Sequence, residues 1–351
     1  MSIETIIGKT VSRWMEGKGD FSDVVISSRI RLARNLEGYP FPNVLSESVA
    51  GEVITAVQDA VAKISHEPGP LEFFNLASLS ALERFILVEK HLISPIHAES
   101  PVGRSVLLKE DQSVSIMVNE EDHLRIQCIL PGLNLNDAWS FASQIDDLLE
   151  DTLNISYSEI LGYLTACPTN VGTGLRASAM VHLPGLVLTH QVNLVLGLLP
   201  QLGLAVRGLY GEGSEIIGNL FQVSNQVTIG KTEEDILSNI SAVVSQIVDR
   251  EREARQAMLS EAKDQLEDKV WRAFGTLANA RMMPAHEALT LLSDLRLGMD
   301  LGIITCPQPE VYNELIVITS PAYLQYLTGR EMSAAALDVE RAKLIRSRLC
   351  L

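Results

Sequence analysis

Two stretches of alternating apolar residues follow one another in mid-chain, SVSIMV at 113–118 and LRIQCIL at 124–130, with only NEEDH between them. The apolar set is Val114, Ile116 and Val118 in the first and Leu124, Ile126, Cys128 and Leu130 in the second. A two-residue period puts such side chains on one face of an extended strand, and so short a polar connection can only reverse the chain. An antiparallel hairpin is predicted, with carboxylates at its tip and Arg125 on the face opposite Leu124 and Ile126.

FQVSNQVTIG at 221–230 alternates in the same way and predicts a strand with Phe221, Val223, Val227 and Ile229 inward. Thr232 and Asp235 then have capping-box spacing, and Ile236, Ile240, Val243 and Ile247 recur at helical intervals. Strands and helices mixed with hairpin connections indicate an α+β fold, an antiparallel sheet flanked by helices. Beyond about residue 255, REREARQAMLSEAKDQLEDKVWRAF and SAAALDVERAKLIRSRL are charged and helical in pattern, with no comparable strand signal. Single cores stop growing at about 250–300 residues, so the 351 residues are expected to divide into a catalytic-type domain over 1–255 and a helical domain over 256–351.

The 28 basic residues are outnumbered by 44 acidic ones, for a formal charge of -16, which excludes the broad basic face a nucleic-acid binder needs. MSIETIIGKTVSRW has no secretory-leader pattern. LPGLVLTHQVNLVLGLLPQLGLAV at 183–206 is broken by His190, Gln191, Asn193, Pro200 and Gln201, and is expected to be buried helix rather than a membrane span. A cytoplasmic protein is expected. Cys128, Cys167, Cys306 and Cys350 form no CxxC pair, so neither a zinc site nor a disulfide framework is expected.

Three short segments carry chemistry. In VVISSRIRLARN at 24–35, strand spacing sets Arg29 and Arg31 on one face and Ile30 and Leu32 on the other. Paired guanidinium forks match phosphate oxygens, although the same pattern fits a solvated strand face. In CPTNVGTGLRA at 167–177, Gly172 and Gly174 either let backbone N–H groups approach an anion, with Arg176 adding charge, or form a turn capping a helix. In RGLYGEGSE at 207–215, Gly208, Gly211 and Gly213 surround Glu212 in a loop that either closes over a ligand or only connects elements.

SSRIR, NEEDHLR, CPTNVGTGLR and RGLYGEGSE, in this order, resemble the ATP:guanidino phosphotransferases, the family of arginine kinase and creatine kinase. The resemblance implies ATP with Mg²⁺, and phosphate contacts from Arg29, Arg31, Arg125, Arg176 and Arg207, with His91 of EKHLISP beside the nucleotide. The nucleotide-binding segments carried over are Ser27, Ser28, Arg29, Ile30 and Arg31; Arg176, Ala177, Ser178, Ala179 and Met180; and Arg207, Gly208, Leu209, Tyr210 and Gly211. Glu121 and Glu212 match the carboxylates that grip the acceptor guanidinium, and Cys167 matches a thiol near it. No protein-held metal is implied.

The all-helical domain that precedes this motif set in the phosphagen kinases has no counterpart ahead of Ser27, and helices follow the motif set instead. That layout resembles the bacterial branch that phosphorylates arginine on proteins. It implies arginine-bearing protein substrates including a heat-shock repressor, a Clp-type unfoldase that takes the product, a zinc-binding activator protein, and a homodimer. The branch's RDxxRA motif for phosphoarginine reads LDVERA here: Leu337 replaces the first arginine, leaving Asp338 and Arg341. A phosphagen kinase for free arginine and an inactive phosphoarginine-binding adaptor are the alternatives.

Overall fold

A computed structural model of the protein describes residues 2–63, 69–208, 217–306 and 310–349. Ten strands occur among them: β1 Val25–Arg34, β2 Leu71–Asn75, β3 Ser105–Lys109, β4 Val114–Val118, β5 Leu124–Pro131, β6 Tyr157–Ser158, β7 Gly162–Tyr163, β8 Leu175–His182, β9 Leu204–Arg207 and β10 Leu220–Asn225. β6 and β7 pair with each other, and the other eight form one antiparallel sheet in the order β2-β3-β4-β5-β1-β8-β10-β9. The predicted hairpin is β4–β5, with Val114 opposite Cys128, Ile116 opposite Ile126 and Val118 opposite Leu124.

The helices up to the sheet's last strand are α1 Ile3–Gly8, α2 Glu47–Lys63, α3 Ala81–Glu89, α4 Pro95–Glu99, α5 Leu135–Glu150, α6 Pro184–Leu188 and α7 Val192–Leu196. After it come α8 Glu233–Glu261, α9 Lys263–Asn279, α10 Ala285–Asp300, α11 Glu310–Ile318, α12 Pro321–Thr328 and α13 Ala334–Arg348. The fold is the α+β arrangement read from the sequence, with a helical carboxy-terminal region. Thr232 and Asp235 close the predicted capping box at the start of α8.

Strand period sorts the sheet into two faces. Ile30, Leu32, Ile126, Cys128, Ala177, Ala179 and Val223 are buried beneath α2, α5 and α8. On the other face Ile26, Val106, Met117, Ile129 and Met180 join a second core with α1, α3 and the carboxy-terminal helices. α8 runs unbroken past residue 255. Near its end, buried Arg255 donates to Glu251 Oε1 at 2.6 Å and Asp300 Oδ2 at 3.3 Å, and Arg296 donates to Asp300 Oδ1 at 2.8 Å. Glu251 in turn accepts from the Gly185 and Leu186 N–H groups. Burying this many charges is tolerable only because each has a partner.

Two expectations are corrected. The strand at 221–230 stops at Asn225, whose side chain ties to Ala177 N and Leu175 O of β8; Val227 and Ile229 are 45% and 53% exposed, and Thr228 takes the inward place, donating to Thr169 O or Val171 O. The apolar stretch at 183–206 is not one buried helix. It breaks into α6, α7, a 3-10 turn at Leu199–Leu202 and β9, leaving Leu194 72% exposed. Among the described residues no helix is long and apolar enough to cross a membrane.

Candidate active site

The polar part of the sheet lies on its three central strands and their neighbours. Register places Arg31 of β1 opposite Arg176 of β8 and Gln127 of β5, Arg29 opposite Ser178, Arg125 opposite Ala33, and Arg207 opposite Gln222. All of these side chains fall on one face, because paired residues in an antiparallel ladder point the same way. Arg29, Arg31, Arg125, Arg176 and Arg207 line a single cleft of about 780 Å³, together with His91, Glu120, Glu121 and Cys167. The third arginine of SSRIRLAR, Arg34, faces the other layer, where it pairs with Asp146 at 2.6 Å.

The cleft is electrostatically unbalanced. Burial, then the neighbouring Arg125 and Arg176 charges, pushes Arg29 down to about 9; Arg31 is driven well below its ordinary value by burial and by Arg29, Arg125 and Arg176. Arg29 donates to Gln222 Oε1 at 2.7 Å, and the buried Nε of Arg31 has no hydrogen-bond partner. Arg125 has a close carboxylate, Glu120 Oε2 at 2.5 Å. Burial would raise the Glu120 carboxyl, but Arg125 and the Ser94 hydroxyl outweigh it and hold it at about 2. Like charges this close on a half-buried face favour an anionic ligand with several oxygens.

His91 sits in the left-handed region at φ 61°, its ring edge-on to Trp14 at 5.5 Å. Burial, then Arg29, lowers it to about 3, so it is neutral at physiological pH. In a hollow beneath Arg29, Trp14, Ser27, Ser178 and Met180 meet His91 and Gln222.

The hairpin tip is less open than a polar turn should be. Asn119 N–H donates to His123 O at 2.9 Å, and Glu120 and Asp122 are buried, so Glu121 alone of the three acids is exposed in the cleft. Burial, reinforced by Asp122 and Glu120 and opposed by Arg125, raises the Glu121 carboxyl above its ordinary value. A carboxylate so placed grips a planar cation and accepts a proton from it more readily than a free one. Cys167 precedes a 3-10 turn at Pro168–Asn170, with Sγ 3.0 Å from Thr169 Oγ1.

The glycine-rich segment has neither of its expected roles. Gly172 N–H donates to Tyr163 O and Gly174 N–H to Asn170 O, so neither is turned to an anion, and a strand follows rather than a helix. At Gly174, φ 65°, a Cβ would lie 2.5 Å from Arg34 Nη1 and 2.6 Å from Ala33 O. Gly174 thus lets the loop lie against β1, and Gly172 lets it lie against Thr228 and Ile229.

Ser28, Ile30, Ala177 and Ala179, carried over as nucleotide-binding, do not line the cleft: alternation turns them to the opposite face, where they are buried, and Ser28 Oγ donates to Gly132 O. Gly208 is buried at the end of β9, and Leu209, Tyr210, Gly211, Glu212 and Gly213 lie outside the described residues. Sequence reasoning missed Glu120, Asp122, Gln222 and Trp14; the run of acids in NEED was the only signal for the first two.

Residues 52–254 match the family described as ATP:guanido phosphotransferase, C-terminal catalytic domain, and residues 263–351 match Protein-arginine kinase McsB C-terminal domain. The chain is 54% identical over 351 residues to the protein-arginine kinase of Desulforamulus reducens, covering 99% of this chain and 98% of that one. It is 50% identical over 349 residues to that of Halothermothrix orenii, covering 99% of each. The chain belongs to the protein-arginine kinase branch of the ATP:guanido phosphotransferase family. Among solved structures, a lombricine kinase aligns with this kinase at a TM-score of 0.58 and 24% identity, over 73% of this chain and 71% of that one. The duplicated taurocyamine kinase of Schistosoma mansoni, substrate-free, aligns at 0.59 and 21%, over 92% and 51%. Both show the shared fold.

In the kinase's carboxy-terminal region, Asp338 and Arg341 are paired at 2.6 Å. Arg341 is buried and also donates to Thr319 O at 2.9 Å and Met283 O at 2.8 Å. Among the described residues, no three His, Cys, Asp or Glu side chains are grouped to hold a metal ion.

Proposed function

We propose that this kinase transfers the γ-phosphoryl group of ATP to arginine side chains of proteins. The observation that carries the reading is the convergence of five arginines, Glu121 and Cys167 on one cleft. The arginines would spread the charge of the triphosphate and of the transferring group, since such transfer depends on positioning and charge stabilisation. A guanidinium of pKa about 12.5–13.8 is a poor nucleophile. Glu121, with Glu212 as the second carboxylate, would hold it planar. As the nitrogen–phosphorus bond forms and the bond from Pγ to the bridging oxygen of ADP breaks, Glu121 would take the displaced proton. Cys167 would stand beside the acceptor in the same cleft.

Mg²⁺ would arrive with the nucleotide: this ion ordinarily keeps phosphate oxygens and waters as ligands, and the described residues offer it no cage. The acidic chain, -16 overall, would favour basic, arginine-bearing partners. From the branch the reading extends to a heat-shock repressor among the substrates, capture of the product by a Clp-type unfoldase, a zinc-binding activator, a homodimer and a cytoplasmic setting. With Leu337 in place of an arginine and Arg341 engaged by backbone carbonyls, Asp338 and Arg341 are read as a structural tie.

The test is incubation with MgATP and either free arginine or an arginine-rich protein, followed by mass spectrometry under non-acidic conditions. Phosphoarginine on the protein is expected. Label in the free amino acid alone would favour a phosphagen kinase, and no label with retained phosphoarginine binding would favour an adaptor.

A further inference from the structure

Glu121 is the middle of three consecutive acids, and its two neighbours are pinned to different parts of the molecule. Glu120 is held by Arg125 and Ser94. Asp122, 2% exposed, accepts with a single oxygen, Oδ1, from Asn35 Nδ2 at 2.6 Å and from the Ala166 N–H at 2.6 Å. Ala166 immediately precedes Cys167. Asn35, directly after β1, completes the knot: its Oδ1 accepts from His123 N at 2.9 Å, its Nδ2 also donates to Leu164 O at 3.0 Å, and its carbonyl accepts from Ser156 N at 2.7 Å.

The turn carrying Glu121 and the loop carrying Cys167 are therefore joined through one buried carboxylate. Neither Asp122 nor Asn35 lines the cleft, whereas Glu121 and Cys167 both do. Resting on the function read above, we propose that Asp122 is a positioning residue for the acceptor guanidinium, fixing the Cys167 loop against the Glu121 turn so that both groups face the same planar cation. Two N–H donors on one carboxylate oxygen make a short, directional tie. The hydrogen-bonded tie lies on the acceptor side: Arg29, Arg31 and Arg176 are held by strand pairing and do not depend on it, while Arg125 feels the Asp122 charge.

The experiment uses the full-length protein and its Asp122→Ala and Asp122→Asn variants, with MgATP and an arginine-containing peptide. Three readouts are taken: peptide kinetics, ATP affinity by titration, and the rate of Cys167 alkylation by iodoacetamide, resolved by mass spectrometry. Asp122→Ala is expected to lower kcat/KM for the peptide by about tenfold or more, since displacements of about 1 Å at a reacting centre cost that much. ATP affinity should stay within about twofold, because the arginines assigned to it stand on strands outside the tie, and Cys167 should alkylate at a changed rate. Asp122→Asn, which keeps an acceptor oxygen, should restore most of the peptide activity and the original alkylation rate.

Unchanged peptide kinetics and Cys167 reactivity in a folded Asp122→Ala protein would overturn the proposal. So would an equal loss of peptide and ATP binding with a lowered Tm, the mark of a general structural role. If Asp122→Ala does not fold, Asp122→Asn decides, and loss of peptide activity there with ATP affinity also lost counts against the tie. Failure of the unaltered protein to phosphorylate any arginine peptide would defeat the kinase reading instead, and the Cys167 alkylation rates would still judge the tie.

Discussion

Arg31 is held beside Arg29, Arg125 and Arg176 on a half-buried face with no hydrogen-bond partner for its Nε, so its charge works against the folded chain until an anion arrives. Arg31→Met should therefore raise the Tm of the ligand-free protein by about 2 °C, the shift ~1 kcal/mol gives in a chain of this size. The same change should weaken ATP binding about tenfold or more through loss of a charged fork; calorimetry and nucleotide titration check the two halves. Glu121→Gln removes the proposed proton acceptor and keeps the shape, so kcat should fall about a hundredfold or more with ATP affinity little changed. Strand period made the common face of Arg29 and Arg31 legible in the sequence. It could not say which acid of NEED meets the cleft, because three adjacent carboxylates are chemically alike and the choice is made by distant Ser94, Asn35 and Ala166.

At the level of elements, the β4–β5 turn depends on the Glu120–Arg125 pair. Glu120 titrates at about 2, below the ordinary 4.5, so the pair's contribution is fully present above about pH 4.5 and is lost as pH falls toward 2. Glu120→Gln leaves Arg125 without its acid among other cations and should cost about 2 kcal/mol near neutrality. In urea titrations the gap to the unaltered protein should narrow as the pH drops from 5 toward 2. Gly174→Ala sets a Cβ against Arg34 and the Ala33 carbonyl at φ 65°, and should destabilise by about 2 kcal/mol or more. The hairpin and the α8 capping box could be read directly, being local in origin. The end of β10 could not, since Asn225 stops that strand through bonds to β8. Nor could the breaks after residue 183, where His190 at φ 59° and the Pro200 turn divide an apolar run into short pieces.

Across the whole molecule, two cores on opposite faces of one sheet bind the parts together, and buried ions near the end of α8 reinforce the join. Asp300 serves both Arg255 and Arg296, so Asp300→Ala takes a shared acid from two buried guanidinium groups and should lower stability by about 3 kcal/mol, read from chemical unfolding. The helical character beyond residue 255 was visible as periodicity, but its attachment was not: Ile129 and Met180 of the sheet share one core with α10 and α11 residues more than a hundred positions away. The placement of the arginines has a further consequence. Those of the cleft stand on strands locked by ladder hydrogen bonds, whereas Glu121 and Cys167 stand on a turn and a loop. One half of the cleft behaves as a fixed die, and the other as an interchangeable fitting. On the function proposed above, lineages sharing this scaffold can retool for a new guanidino acceptor by exchanging connecting segments, without recasting the part assigned to the triphosphate.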